Sequence, residues 1–263
     1  MPLLELKNVS KSYRQGGVWG KRREVRAVRR ADIALEAGRC LAVVGASGSG
    51  KSTLGRLALG LERPDGGEIL YRGEPLHRGL SWVNSSVRRD LQVVFQNSQG
   101  AVNPRFTARD IIGEPLVNFF SLRGGALSDK VAELLTSVGL SPDEMDKLPH
   151  QFSGGELQRI CLARALAPKP ALIVLDEAVS SLDMLNQSRI LDLLDAVKHD
   201  TGTAFLFISH DMRVVCRLAD AVTVMADGES VCTFDNLPGT DAIPPDHPAL
   251  RRLADAILPE FPR

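Results

Sequence analysis

Residues 45–52 read Gly45-Ala46-Ser47-Gly48-Ser49-Gly50-Lys51-Ser52, a complete match to the phosphate-loop pattern G-x-x-x-x-G-K-[ST]. They follow a continuous apolar run, Cys40-Leu41-Ala42-Val43-Val44, of the kind a buried parallel strand requires, and lead into helical spacing from Lys51 to Leu59. Strand, glycine-rich turn and helix together are the context in which this loop binds phosphate. Glycines let backbone N–H groups turn inward, and the helix N-terminus adds about half a positive charge. Lys51 then reaches the β- and γ-phosphates, the Ser52 hydroxyl ligates Mg²⁺, and Thr53 is expected among the nucleotide-binding residues. This predicts a nucleotide-type α/β core.

The rest of the chain fits such a core with an interruption. Leu4, Leu6 and Val9 mark a first strand without strict alternation, and Val25 to Leu35 a second. A basic, glycine-containing insertion, Gln15 to Arg23, separates them. Glu68–Tyr71 and Leu91–Phe95 are further strands. From Asn97 to Pro170 no strand is evident. Helical spacing runs instead over Ala108–Leu122 and over Ser128–Val138, with Ser128 as the expected N-cap of the second. The α/β alternation then resumes: strand Leu172–Leu175, helix Asn186–Lys198, strand Phe205–Ile208, helix Asp211–Ala219. Val222–Met225 and Ser230–Cys232 flank Asp227-Gly228, a strong hairpin signal. The tail from Leu237 is proline-rich, with a short helical stretch near Ala249–Ile257.

Composition narrows the function. The 263 residues carry 32 basic and 32 acidic side chains, so nothing shows the basic excess typical of a nucleic-acid binder. At 44% hydrophobic residues the chain is neither disordered nor membrane-spanning, and no apolar run approaches the roughly 20 residues a bilayer demands. Cys40, Cys161, Cys216 and Cys232 form no C-x-x-C pair and suit neither a zinc site nor a disulfide framework; they are expected to be buried small apolar residues in a reducing compartment. The N-terminus lacks a signal peptide, which predicts a cytoplasmic chain whose membrane role runs through partners.

A second chemical feature follows the strand at Leu172. Asp176-Glu177 supplies one carboxylate able to hold Mg²⁺ through water and another able to orient or deprotonate an attacking water. Upstream, Ser153-Gly154-Gly155-Glu156 precedes a helix. With the phosphate loop, this element resembles the signature of ATP-binding cassette (ABC) ATPases. The other cassette motifs occur in order: Tyr13 resembles the aromatic that stacks on adenine, Gln96 the Q-loop glutamine, Ser180-Ser181-Leu182-Asp183 the D-loop and His210 the switch histidine. Taken singly, Tyr13 reads as a packing aromatic, Gln96 as a surface residue and His210 as structural; order and spacing select the cassette reading.

The resemblance implies roles. Lys51 and the loop amides hold the phosphates of ATP; Ser52, Gln96 and Asp176 surround Mg²⁺; Glu177 is the general base; His210 contacts the γ-phosphate. Ser153 and Gly155 reach the γ-phosphate bound on a second subunit, since cassettes act as head-to-tail dimers. The family has Gln where this chain has Glu156. By its own chemistry, Ser153-x-x-Glu156 is a capping box whose carboxylate suits the helix dipole, and it also adds negative charge near ATP. It reads as a tolerated change that tunes nucleotide affinity.

Asn103-Pro104-Arg105 and Glu114-Pro115 after the Q-loop resemble the peptide/nickel branch of bacterial importers. Glu177-Ala178-Val179-Ser180 and the ending Ala256-Ile257-Leu258-Pro259-Glu260-Phe261-Pro262 are most similar to the second ATPase subunit of nickel importers. The expected fold is an α/β phosphate-loop ABC ATPase core with an antiparallel β portion and an inserted helical subdomain, about residues 96–168, within a domain over 1–236, followed by a tail over 237–263. The expected function is ATP hydrolysis energising nickel import through two membrane permease subunits, a second cassette and an extracytoplasmic solute-binding protein, on the cytoplasmic face of the inner membrane. A peptide importer of the same branch is the alternative. A soluble cassette of translation or DNA repair is more remote, since those carry two cassettes or a coiled-coil insertion. The histidines (His77, His150, His199, His210, His247) form no nickel-ligand cluster.

Overall fold

In the computed structural model, residues 1–15, 23–77, 85–180 and 182–235 are described. Most of the basic insertion, Ser181, the proline-rich tail with its helical stretch, and the ending quoted above lie outside the described residues.

The chain divides into two units, residues 1–83 with 206–263, and residues 84–205. In the first unit, β1 (Leu4–Gln15) runs antiparallel to β2 (Arg23–Leu35), with Leu4 opposite Leu35 and Leu6 opposite Ile33. Register shifts between Leu6 and Val9, and twice more before Ser12, explain why β1 did not alternate strictly: each bulge changes which face the next apolar residue meets. The buried strand β3 (Cys40–Val44) leads through the glycine loop into α1 (Lys51–Ala58), which buries Leu54, Leu57 and Ala58. β4 (Gly66–Tyr71) pairs antiparallel with β1 and with the short β5 (Glu74–Pro75).

In the second unit, α2 (Ser85–Asp90) precedes β6 (Leu91–Val94), which is parallel to β7 (Leu172–Asp176), Leu91 facing Leu172 and Val94 facing Leu175. Between them stand helices and turns only: α3 (Ala108–Phe120), α4 (Gly124–Ser137) and α5 (Gly154–Leu166), each touching the other two. Ser128 is not the N-cap of α4. The helix starts four residues earlier, at Gly124, where two poor helix formers conceal the start, and the Ser128 hydroxyl accepts from Arg109 Nη1 (3.4 Å). α6 (Met184–Thr201) ends the unit.

β8 (Ala204–Ile208) carries the chain back to the first unit, where α7 (Met212–Leu218), β9 (Ala221–Ala226) and β10 (Glu229–Asp235) complete it. Asp227 and Gly228 both have positive φ (49° and 82°), the two-residue turn expected of this pair. β9 is antiparallel to β10 and parallel to β3, so the antiparallel and parallel portions of the first unit meet there. Cys40 and Cys161 are buried as expected, whereas Cys216 is exposed and Cys232 half-buried: both lie on elements whose outer face meets solvent. No described helix is long and apolar enough to cross a membrane.

Ile112 is wholly buried on α3. Ile112→Ala should lower unfolding stability by about 2–5 kcal/mol, read by urea denaturation.

Candidate functional site

The phosphate loop is shaped by close backbone approach. A Cβ on Gly45 would lie 2.2 Å from the Met225 carbonyl oxygen, and one on Gly50 2.2 Å from that of Ala27. Gly48 (φ 80°) has open space where its Cβ would stand. Lys51 folds back, its Nζ donating to the Gly45 and Ala46 carbonyls at 2.8 Å each. No side chain caps α1 and no acid stands in its first turn, an arrangement whose helix dipole suits an anion. Ser49 Oγ is buried with no hydrogen-bond partner among the described residues. The loop therefore fits a triphosphate. Ser52, exposed beside Lys51, and Asp176, half-buried at the end of β7, offer the oxygen donors Mg²⁺ prefers.

Tyr13 is half-buried on β1. Its hydroxyl donates to Glu62, whose other oxygen accepts from Arg56 Nε (2.7 Å); Arg56 Nη2 also donates to Thr53 Oγ1 (3.2 Å). The Lys11 ammonium lies 5.9 Å from the Tyr13 ring centroid, within cation–π range. Thr53 is itself buried, so its hydroxyl serves this cluster. Arg56 and Glu62 escaped the sequence reading because no motif marks them. His210 is exposed just beyond β8; the neighbouring Ser209 N–H donates to the Val43 carbonyl (3.3 Å), which brings His210 to the end of β3 where the phosphate loop begins.

In the second unit, Gln96 follows β6 and its Nε2 donates to Glu177 Oε2 at 2.6 Å. Two residues 81 apart in sequence thus meet. Glu177 adopts φ 50°, a left-handed conformation that costs a non-glycine residue on the order of 1–3 kcal/mol. The Ser180 N–H and hydroxyl both donate to the Glu177 carbonyl (3.2 and 2.8 Å) and hold the turn. Asp183 N-caps α6, accepting from the Leu185 and Asn186 N–H groups, which keeps its carboxyl below the ordinary range.

Ser153 N-caps α5, and the capping box is complete: Glu156 N–H donates to Ser153 Oγ (3.3 Å), and Ser153 N–H to Glu156 Oε2 (2.8 Å). Those two Ser153 groups, backbone first, hold the Glu156 carboxyl below its ordinary 4.5. Its charge is engaged by its own helix. Glutamine closes the same box, which is why the substitution leaves the local fold intact. Gly154 has open space at its Cβ position, while a Cβ on Gly155 would press on Leu182 at 3.1 Å.

A family model described as ABC transporter matches residues 28–180, over half of the chain. The chain belongs to the ABC transporter family. The cassette is 47% identical over 262 residues to the nickel import ATP-binding protein NikE of Rhodospirillum rubrum, covering 99% of this chain and 93% of that protein. It is 43% identical to NikE of Escherichia coli strain K12, covering 100% and 97%. Among solved structures it resembles a post-hydrolysis dimer of an ATP-binding cassette bound to ADP and Pi, at TM-score 0.77 and 27% identity, covering 88% of this chain and 98% of that one. The family read from the motifs and the expected α/β cassette fold are both met.

Glu156→Gln keeps the capping geometry and removes the charge. It should cost about 0.3–1 kcal/mol at neutral pH and low salt, read by urea unfolding. Because the folded carboxyl titrates below its unfolded value, its contribution is complete above about pH 4.5 and is lost as pH falls through the folded value. The stability curves of variant and wild type should therefore converge in acid.

Proposed function

We propose that this cassette is the ATP-hydrolysing subunit of a bacterial nickel importer. The observation that carries the reading is its likeness to nickel import ATP-binding proteins over nearly the whole of both chains. It works on the cytoplasmic face of the inner membrane, paired with a second cassette and two membrane permease subunits, and receives nickel that a solute-binding protein has captured outside.

The chemistry follows from the residues. Lys51 exchanges the Gly45 and Ala46 carbonyls for the β- and γ-phosphate oxygens of ATP, while the loop amides cradle the chain of phosphates. Tyr13 stacks on the adenine. Ser52, Gln96 and Asp176 would hold Mg²⁺, which would supply positive charge to offset that of the phosphates. Glu177, its carboxylate oriented by the Gln96 amide, accepts the proton of the water that attacks the γ-phosphorus in line. His210 steadies the γ-phosphate. Ser153 and Gly155, at the capped start of α5, meet the γ-phosphate held by the partner cassette, with Gly154, Glu156 and Asp183 beside them. ATP closes the dimer and hydrolysis opens it, and the helical insertion passes that motion to the permease.

Glu177→Gln keeps shape and loses the base. It should bind ATP normally, turn over at least about 100-fold more slowly and accumulate as an ATP-bound dimer on gel filtration. Near-normal hydrolysis would sink the assignment. Lys51→Ala should lose ATP binding itself, read by nucleotide titration.

Nickel is cargo, selected outside and carried by the membrane partners. Deletion of the gene should abolish high-affinity nickel uptake, measured with radioactive nickel, while the purified chain shows no tight stoichiometric Ni²⁺ site by calorimetry. Normal nickel uptake with a peptide-uptake defect would move the assignment to a peptide importer.

A further inference from the structure

Helix α5 carries a stripe that the capping box and the signature do not use. Gln158, Cys161 and Arg164 stand three residues apart, which places them on one face. Each faces a backbone carbonyl of the segment leaving β6, and those carbonyls are also three apart. Gln158 Nε2 donates to Phe95 O (3.2 Å), Cys161 Sγ to Ser98 O (4.0 Å, a weak thiol contact) and Arg164 Nη1 to Ala101 O (2.8 Å). The helix and the segment are thus laced together by three rungs, and Gln96 lies between the first and the second.

The Gln158 rung is buried. The side chain is only 3% exposed, and its Oε1 has no hydrogen-bond partner among the described residues. It lines a cavity of about 10 Å³ together with Val94, Leu175, Ala178 and Val179, the last three flanking Asp176 and Glu177. A buried amide is an unusual choice for packing alone, because an apolar side chain would fill the same space without needing hydrogen-bond partners. What the amide adds is its grip on the Phe95 carbonyl. One residue later, Gln96 holds the Glu177 carboxylate at 2.6 Å.

We propose that Gln158 is a positioning residue of the ATPase site: through the Phe95 carbonyl it sets Gln96, and through Gln96 the Glu177 carboxylate, so that α5 and the segment after β6 move as one piece. The signature serine and glycines open the same helix, so engagement of the partner's nucleotide at the start of α5 is transmitted to the base of this cassette. The proposal rests on the reading of Glu177 as base.

Gln158→Met preserves length and removes the hydrogen bond. In the full chain without nucleotide, hydrogen–deuterium exchange over residues 95–98 should become faster while the melting temperature changes by no more than about 4 °C. In steady-state assays kcat should fall about 3- to 10-fold with KM for ATP within about twofold. In a Gln96→Ala background the same substitution should add nothing. Unchanged exchange at 95–98, unchanged kcat, or a full additive loss in that background would each overturn the proposal. If Gln158→Met does not fold, Arg164→Met tests the same lacing: faster exchange over 99–101 with lower kcat supports it, and no change overturns it. Glu177→Gln, assayed alongside, separates the two readings. Retained turnover there removes the base assignment, whereas the exchange result on Gln158→Met is independent of it.

Discussion

The turn from β3 into α1 admits no side chains where it passes its neighbours. At Gly45 a methyl group would collide with the Met225 carbonyl on β9, and at Gly50 with the Ala27 carbonyl on β2. The phosphate loop is therefore pressed between two strands of its own unit, one from the parallel portion and one from the antiparallel portion. Its shape depends on both, which explains why a nucleotide-binding loop of eight residues needs so large a sheet around it. The uncapped N-terminus of α1 is the chemical counterpart. Helices α3, α5, α6 and α7 are capped by Thr107, Ser153, Asp183 and Asp211, whereas α1, like α4, has no side-chain cap, and α1 alone of these two follows a phosphate-loop sequence.

The second unit is organised around α5 in the same economical way. Its first turn is capped by Ser153 and Glu156, its apolar face meets α3 and α4, and its polar stripe holds the carbonyls that leave β6. One helix thus carries the signature, the hydrophobic contact of the helical insertion and the anchor of Gln96. Glu177 adds local strain to this arrangement. A left-handed glutamate is tolerated because Ser180 grips its carbonyl twice and Gln96 grips its carboxylate. Strain maintained this way holds a carboxylate in one orientation.

Much of this was legible in residue order. The phosphate loop, the strand ending in Asp176-Glu177, the hairpin at Asp227-Gly228 and the Ser153–Glu156 box are each written in a short contiguous stretch of residues, so local pattern suffices to recognise them. Helix ends were less legible: α4 begins at two glycines, and the intrinsic propensity that hides its start is outweighed by packing of Val131, Leu134 and Leu135. The exposed Cys216 escaped for a similar reason, since an apolar run says which residues are greasy but not which face of a helix turns outward.

What the sequence determined alone is the inventory: which glycines, hydroxyls, amides, cations and carboxylates the motifs carry, and in what order. Tertiary structure decided the meetings. Gln96 touches Glu177 across 81 positions, Tyr13 finds Glu62 and Arg56, and Gln158 finds the Phe95 carbonyl 63 positions away. No local period encodes such pairs, because each side chain's partner is set by sheet order and helix packing. The energy of the contact is realised only once the backbone has already brought the two ends together.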